Sequence, residues 1–208
     1  SCRPPRCRPC PVGCRPSGVS RLAVPYCRRR SHRRRSRRPR QSIYRLPPFG
    51  YGKDVLRARF KIYLADAAIA PAVMLKGKAI LGDPTALGVA TETTVFKHLF
   101  ARYYAQNVRF TYWRGKKDRE VDLVAEVGGQ IIPFEVKYRA RHTGLRDLKG
   151  LLELCRQKSI DRGYVVTKSL DDFGVIADLP DTTTRILRIP AALLCYWMGE
   201  SELTPEQQ

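Results

Sequence analysis

The stretch EVDLVAEVGGQIIPFEVKYR, residues 120–139, contains two strand-like segments on either side of a glycine pair. Every second residue is apolar in both segments, which is the two-residue period of a β-strand, although Val124 and Ile131 lie among the charged residues of the other face. The pair Gly128-Gly129 favours a tight two-residue turn between them. The sequence therefore predicts an antiparallel hairpin in which Val127 lies opposite Gln130. On the first strand we expect one apolar face, formed by Val121, Leu123, Ala125 and Val127.

The register of this hairpin brings two acidic side chains together. It places Asp122 opposite Glu135 and Glu120 opposite Lys137. Like charges directly across a ladder are unfavourable by about 0.2–1 kcal/mol on an exposed face, and by more where water is excluded. Two carboxylates a few ångströms apart form an oxygen-rich site that suits Mg²⁺ or Mn²⁺. The close placement of Asp122 and Glu135 is thus explained if both bind a divalent cation.

Lys137 lies two residues after Glu135 and on the same predicted face. An ammonium group beside a metal site can orient or deprotonate a water molecule, or stabilise the charge that develops on a phosphate. The alternative is a plain solvated face, because charged residues on one side of an amphipathic hairpin usually contact water. Both interpretations remain open on the hairpin alone.

A third acid is predicted to point toward the sheet from a helix. Asp83 suits the N-cap position of this helix and Pro84 its first turn. Glu92 precedes the apolar stripe by three residues and projects on the same side, so it is predicted to join the acidic site. The alternative is a solvated glutamate near the start of the helix. The stripe itself, at helical spacing, consists of Val95, Phe96, Leu99 and Tyr103.

Further strands and helices are predicted along the chain. A strand in RFKIYLAD, residues 59–66, is predicted from the alternation of the apolar residues Phe60, Ile62 and Leu64, and a short helix follows it. After the helix with Glu92 come a strand in RFTYW, the hairpin, a helix over residues 144–158 and a strand in GYVVT. RILRIPAALLCYW, residues 185–197, gives a last strand and an apolar helix. The helix over 144–158 is predicted to be a crossover that buries Leu145, Leu148, Leu152 and Cys155.

Twelve residues separate Asp122 from Glu135, and one separates Glu135 from Lys137. Together with the acidic helix before them, these motifs resemble the PD-(D/E)XK phosphodiesterases, the restriction-endonuclease-like superfamily. More narrowly, KIYLADAAIA, TETTVFKHLF, the hairpin with its preceding TYWRGKKDR, and RILRIPAALLCYW resemble a C-terminal domain of unknown function carried by many prokaryotic AAA+-type ATPases. The resemblance covers about residues 56–197.

The resemblance implies an α/β fold with a mixed sheet flanked by helices, and a metal-dependent nuclease activity. It assigns Asp122 and Glu135 as metal carboxylates, Lys137 as the catalytic lysine and Glu92 as the helix-borne acid that assists the metal. Mg²⁺ or Mn²⁺ would be the cofactor and nucleic acid the partner, with DNA favoured over RNA. Because fold does not fix function, a non-catalytic regulatory module of such an ATPase, binding nucleic acid or protein, is the alternative.

The loop before Asp122 is rich in basic residues. Such residues beside a nuclease site are suited to contacts with the phosphate backbone. We therefore predict nucleic-acid contacts from Arg114, Lys116, Lys117 and Arg119.

Composition divides the chain of 208 residues into unequal parts. Residues 1–45 hold 15 arginines and no lysine, aspartate or glutamate. With so few aliphatic residues this part cannot bury a core. We predict a disordered Arg/Pro/Cys-rich tail over 1–50, a strand-helix lead-in over 51–82 and the nuclease-like domain over 83–208. The tail is either an arm that binds nucleic acid or a translation artefact, and the resemblance would place an ATPase domain upstream.

Cysteine usage and hydropathy exclude other classes of protein. Five of the seven cysteines lie in the predicted tail, where no fold surrounds them, so we predict neither a zinc site nor a disulfide framework. No stretch reaches the ~18 apolar residues of a membrane span, and the N-terminus lacks a signal-peptide core. The expected location is the cytoplasm, with no membrane partner.

Overall fold

A computed structural model describes residues 43–50, 59–116, 119–140, 143–176, 179 and 183–203. They belong to one compact unit that spans Pro39–Gln208. Most of the predicted tail, residues 1–42, lies outside the described residues. Residues 43–46, which the sequence assigned to the tail, form a strand whose Leu46 is buried in the core, so the folded domain includes the end of that segment.

Within the described residues, the fold is the predicted mixed sheet flanked by helices. The sheet has six strands, and a separate two-stranded sheet accompanies it. None of the described helices has the length and apolar character that crossing a membrane requires. The elements are β1 Ile43–Leu46, β2 Lys61–Leu64, α1 Ile69–Val73, α2 Pro84–Tyr103, β3 Arg109–Arg114, β4 Glu120–Val127, β5 Gln130–Lys137, α3 Lys149–Lys158, β6 Arg162–Thr167, β7 Gly174–Ile176, β8 Arg185–Pro190 and α4 Ala191–Leu203.

The large sheet has the strand order β3-β4-β5-β6-β8-β7. β3, β4 and β5 are antiparallel neighbours, whereas β5, β6 and β8 run parallel and β7 is an antiparallel edge strand. α3 connects the parallel strands β5 and β6, which confirms the predicted crossover helix. β1 and β2 pair with each other in the small sheet, and a bridge from Pro48 to Tyr112 joins this region to β3.

Two apolar cores lie on opposite faces of the large sheet. The α2-side core lies under α2 and α4 and includes Leu46, Tyr63, Val95, Phe96, Leu99, Tyr112, Leu123, Ala125, Phe134, Val166, Ile189 and Leu194. The α3-side core lies under α3 and includes Trp113, Val121, Val124, Leu148, Leu151, Leu154, Cys155, Ile160, Val165 and Ile186.

α2 begins and packs as the sequence predicted. The side chain of Asp83 accepts hydrogen bonds from the backbone N–H groups of Thr85 and Ala86, and Pro84 occupies the first turn. Its stripe enters the α2-side core at Val95, Phe96 and Leu99. This packing fixes the rotation of the helix and thereby the direction of Glu92.

β2 buries the face opposite to the one that carries its alternating apolar residues. Phe60 and Ile62 are 44% and 57% exposed, whereas Tyr63 is 4% exposed. The inward face has better partners: the ring of Tyr63 stacks on Phe96 at 4.7 Å, and the ammonium of Lys61 reaches three carboxylates. A strand this short takes its orientation from such contacts and not from its own hydropathy pattern.

The buried stripe of the crossover helix is also shifted. Leu148 and Cys155 are buried as predicted, but Leu145 is exposed and Leu152 only partly buried, while Leu151 and Leu154 fill the α3-side core. Residues 145–148 form a 3₁₀ turn and not the first turn of an α-helix. A 3₁₀ turn has three residues instead of 3.6, so it changes the phase of the stripe that follows.

Gly150, in the first turn of α3, lies directly against the backbone of β4. A Cβ atom at this position would lie 2.4 Å from the backbone oxygen of Glu120, which is too close for a relaxed contact. We expect Gly150→Ala to push α3 away from the sheet and to lower the free energy of unfolding by about 1–3 kcal/mol, the usual cost of overpacking. Chemical denaturation followed by circular dichroism measures this loss.

Gly88, in α2, provides the matched control. A Cβ atom there would meet no heavy atom of the described residues within 4 Å. Because alanine has the higher helix propensity, Gly88→Ala should raise the free energy of unfolding by about 0.5–1 kcal/mol. Effects of the same sign and size at both positions would contradict the close approach of α3 to β4.

Candidate functional site

The hairpin of β4 and β5 has the predicted register. Gly128 and Gly129 adopt φ values of 55° and 81°, the left-handed conformation that a tight hairpin turn requires. Pairing runs from Val127 opposite Gln130 to Leu123 opposite Phe134. The ladder ends one position before Asp122 and Glu135.

The side chain of Asp122 accepts a backbone hydrogen bond just beyond the end of the ladder. Its Oδ2 atom accepts a hydrogen bond of 2.9 Å from the backbone N–H of Val136, the residue after Glu135. The carboxylate of Asp122 is therefore fixed to the backbone of the neighbouring strand. This contact ties the two acidic positions of the hairpin to each other.

A β-bulge in β4 changes which faces its side chains occupy. Thr111 pairs with Val124 and Trp113 with Val121, so two residues of β4 lie opposite Tyr112 alone. As a result Val121 packs in the α3-side core and Leu123 in the α2-side core. The prediction that Val121 and Leu123 share one face was therefore wrong. Bulges often redirect a side chain beside a functional site, and here the bulge includes Asp122.

Lys61 of β2 is the centre of a cluster of three carboxylates. Its Nζ atom lies 2.6 Å from Oε1 of Glu120, 2.9 Å from Oδ1 of Asp122 and 3.0 Å from Oε1 of Glu92. β2, β4 and α2 thus meet at one ammonium group. Glu92 points inward from α2, as predicted, and joins Asp122 through Lys61.

Tyr63, two residues after Lys61, completes this cluster. Its hydroxyl group donates a hydrogen bond to Oε1 of Glu92 and a longer one, of 3.3 Å, to the backbone oxygen of Asp122. Burial, followed by the charge of Glu92, raises the pKa of the Tyr63 hydroxyl, so it remains a donor. Glu92 therefore receives hydrogen bonds from both Tyr63 and Lys61.

The charges of the cluster shift its protonation equilibria. Burial, and next the negative charge of Asp122, raise the pKa of Glu92 above its usual range. Burial acts to lower the pKa of Lys61, but the carboxylates of Asp122 and Glu92 outweigh it and hold that pKa above its ordinary value. Lys61 is therefore a cation at any physiological pH.

Glu135 and Lys137 form a second ion pair beside the first cluster. Nζ of Lys137 contacts Oε1 of Glu135, while Oε2 of Glu135 is buried and has no hydrogen-bond partner among the described residues. The residue is only 4% exposed. Burial, and next the charge of Asp122, raise the pKa of Glu135 to about 8. This buried, incompletely paired carboxyl is the most unusual group of the site.

Lys137 keeps its proton despite being half-buried. Burial acts to lower its pKa, but the contact with Glu135 prevails and holds the pKa above its ordinary value. Its ammonium group is therefore charged at neutral pH.

The four predicted site residues fall into two neighbouring groups. Glu92 and Asp122 meet at Lys61, and Glu135 pairs with Lys137. In the described part of the chain, no three or more histidine, cysteine, aspartate or glutamate side chains are arranged so that they could hold a metal ion. The space between the carboxylates of Glu92 and Asp122 is taken by the ammonium of Lys61.

The charge of the combined site nevertheless suits a divalent cation. It contains four carboxylates, those of Glu92, Glu120, Asp122 and Glu135, and two ammonium groups, those of Lys61 and Lys137. With every group ionised, the formal charge of these six side chains is −2. The donors are hard oxygens, the ligands that Mg²⁺ and Mn²⁺ prefer.

Basic residues lie beside the acidic cluster. Arg114 is exposed and lies opposite Glu120 in the pairing of β3 with β4, and Lys116 is also exposed. Arg119 contacts the carboxylate of Glu153 in α3. The fourth predicted contact, Lys117, lies outside the described residues.

The sequence pattern did not indicate a site role for Lys61, Tyr63 or Glu120. A detectable signal existed for two of them: Lys61 and Tyr63 are two residues apart in a strand, so they share a face. Once Tyr63 is placed inward, a lysine on that face needs a buried acidic partner. Glu120 was expected to face Lys137. In the structure it contacts Lys61 instead, and the bulge of β4 follows it in the strand.

Comparison with protein families matches part of this chain. A family model described as a domain of unknown function, DUF4143, matches residues 87–191, just over half of the chain. The match includes Glu92, Asp122, Glu135 and Lys137, and it begins after β2. Comparison with curated proteins gives no match.

Proposed function

Because the chain belongs to the DUF4143 family, a family of unknown function, we propose its function from the site itself: a metal-dependent nuclease that hydrolyses phosphodiester bonds. The observation that carries this proposal is the buried carboxyl of Glu135, with one oxygen on Lys137 and the other without a partner among the described residues. An unpartnered buried carboxylate oxygen is costly. A divalent cation shared with Asp122 offsets that cost.

Carboxylate oxygens of Asp122, Glu135 and Glu92 would hold the cation, Mg²⁺ or Mn²⁺. Asp122 and Glu135 come from adjacent strands, and the Val136 N–H already orients Asp122. When bound, the metal neutralises phosphate charge and lowers the pKa of a water molecule, which makes it a nucleophile near neutral pH. Burial and the negative charge of Asp122 raise the pKa of Glu135 although Lys137 contacts it, and a bound cation would favour the charged form of this carboxyl.

Lys137 acts in this proposal as a positive hydrogen-bond donor and not as a general base. Its pKa is raised, so its ammonium group carries a proton that it does not release at neutral pH. Glu135 holds this group in place. An ordered ammonium stabilises the negative charge that develops on phosphate oxygens in the transition state.

We propose nucleic acid as the substrate, with DNA favoured over RNA. Support comes from the exposed basic residues Arg114 and Lys116, which lie next to the acidic cluster and are suited to phosphate contacts. Motif spacing and the mixed sheet support a place in the PD-(D/E)XK superfamily. The proposed association with an AAA+-type ATPase rests on sequence resemblance. We propose a cytoplasmic location from the hydropathy of the sequence.

One observation favours the alternative, a non-catalytic module that binds nucleic acid or protein. Lys61 already neutralises much of the charge of Glu92, Glu120 and Asp122. A cluster of this kind can be purely structural, because its ions satisfy one another. The two functions differ in whether the site binds a divalent cation and turns over substrate.

Metal-dependent cleavage by the full chain tests the proposal. Single- and double-stranded DNA and RNA are incubated with Mg²⁺, with Mn²⁺ and with EDTA. Cleavage is the readout because a segment this rich in arginine would bind any nucleic acid and make gel shifts uninformative. We expect cleavage only with metal, and none from Asp122→Ala.

Asp161→Ala is the matched control, since Asp161 is an exposed carboxylate just before β6. Its cleavage rate should equal that of the unaltered chain. Absence of cleavage on every substrate, combined with no Mn²⁺ binding by calorimetry, would establish the non-catalytic alternative.

A further inference from the structure

We infer that the ammonium group of Lys61 is a displaceable internal counterion, which binds Glu92, Glu120 and Asp122 and competes with the divalent metal for the oxygens of Glu92 and Asp122. This inference rests on the proposed metal-dependent function. It makes Lys61 a residue that sets the metal affinity of the site. Neither the family match, which begins at residue 87, nor the predicted catalytic residues include it.

The contacts of Lys61 are those of a bound cation. Three carboxylate oxygens, each from a different acidic residue, surround Nζ at 2.6, 2.9 and 3.0 Å. Surface lysines usually pair with one carboxylate, as Lys97 does with Asp66. Two of the three oxygens belong to Glu92 and Asp122, the residues that would also ligate the metal.

Competition follows because the two cations need the same oxygens. Oδ1 of Asp122 is bound to Lys61, and Oδ2 accepts from the N–H of Val136. Oε1 of Glu92 receives both Lys61 and Tyr63. A metal ion therefore gains Oδ1 of Asp122 and Oε1 of Glu92 only when the ammonium of Lys61 withdraws. This explains why the described carboxylates are not arranged to hold a metal ion although their chemistry suits one.

Lys61 is able to withdraw. Its side chain retains 23% of its solvent exposure and belongs to β2, which pairs only with β1 among the described strands. Lysine is a flexible, strongly hydrated point charge, in contrast to the rigid fork of arginine. The energetic cost of withdrawal makes the state with Lys61 withdrawn a minor one. Because only that state binds the metal through these oxygens, its small population lowers the apparent metal affinity.

Titration of the full chain with Mn²⁺, by electron paramagnetic resonance of the free ion, tests this inference. Lys61→Met removes the charge and keeps the length of the side chain. It should bind Mn²⁺ at least about tenfold more tightly than the unaltered chain, because a positive charge within a few ångströms of the ion is removed. Lys97→Met, in the exposed ion pair with Asp66, is the control and should leave the affinity unchanged.

A second measurement covers the case in which Lys61→Met loses stability. Because its carboxylates lack their counterion, the thermal midpoint of this variant should rise with Mn²⁺ more steeply than that of the unaltered chain. Lys61→Gln, which keeps a hydrogen-bond donor, should give the same ranking.

Each outcome decides the inference. Equal or weaker Mn²⁺ binding by both Lys61 variants, with binding by the unaltered chain, would overturn the role of Lys61 and leave the proposed nuclease function standing. No Mn²⁺ binding by any of these proteins, and no stabilisation by Mn²⁺, would overturn both. Binding by the Lys61 variants alone would support the inference and show that Lys61 blocks the site in the resting chain.

Discussion

Lys137→Ala is expected to slow metal-dependent cleavage by about 10²–10³-fold, the usual effect of removing one ordered donor from a transition-state site. The reason is the protonated state of Lys137, whose pKa is held above its ordinary value by contact with Glu135. The variant loses a fixed positive charge but retains the carboxylates of Asp122 and Glu135. Mn²⁺ binding should therefore persist. Single-turnover cleavage and Mn²⁺ titration of the same preparation separate these two effects.

Two further variants give this prediction its controls. Asp122→Ala should lose both cleavage and Mn²⁺ binding, because it removes a ligand. Lys137→Arg keeps the charge but exchanges a compact ammonium for a planar guanidinium, so partial recovery of the rate is expected. If Lys137→Ala instead lost metal binding together with cleavage, Lys137 would serve only to position Glu135, and its proposed role at the phosphate would be wrong.

The parts of the site that were predictable from the sequence depend on local chemistry. The glycine pair determines the turn, and the turn determines the register from Val127 to Leu123. The direction of Glu92 follows from helical spacing relative to Val95 and Phe96. In both cases residues close in sequence determine the geometry, so the sequence of this chain alone is enough to predict it.

The parts that were not predictable depend on contacts between distant segments. Lys61 and Asp122 are 61 residues apart, and nothing near Lys61 in the sequence identifies Asp122 as its partner. The β-bulge likewise depends on how β3 pairs with β4 and not on the composition of β4 alone. The strict alternation assumed for β4 therefore failed at Asp122, the residue on which the proposed chemistry depends.

The orientation of β2 also depends on contacts with distant segments. Phe60 and Ile62 are the more hydrophobic residues, yet Tyr63 and Lys61 face inward, because aromatic stacking on Phe96 and three ion pairs together favour that face. Hydropathy alone does not account for these partners. The contacts available to a short strand thus determine which of its faces points inward. A buried ionic site can reverse the orientation that the hydropathy pattern of the strand predicts.

Phe96→Ala is expected to lower the free energy of unfolding by about 3–5 kcal/mol, as for other fully buried phenylalanines. Phe96 is 1% exposed, and four aromatic rings surround it. Urea denaturation measures the loss. Phe173→Ala, at a phenylalanine that is half exposed, should change the free energy by less than about 1 kcal/mol. The four rings belong to Tyr44, Tyr63, Phe100 and Phe110.

Phe96 also connects the core to the candidate site. Its ring stacks on Tyr63 at 4.7 Å, and the hydroxyl group of Tyr63 binds Glu92. Phe96→Leu should recover most of the stability because it refills the cavity, but it cannot restore the stacked ring. We therefore expect this variant to be folded and yet to bind Mn²⁺ differently from the unaltered chain. Identical Mn²⁺ affinity would show that the position of Glu92 is set by Lys61 and the α2 backbone, without help from the aromatic core.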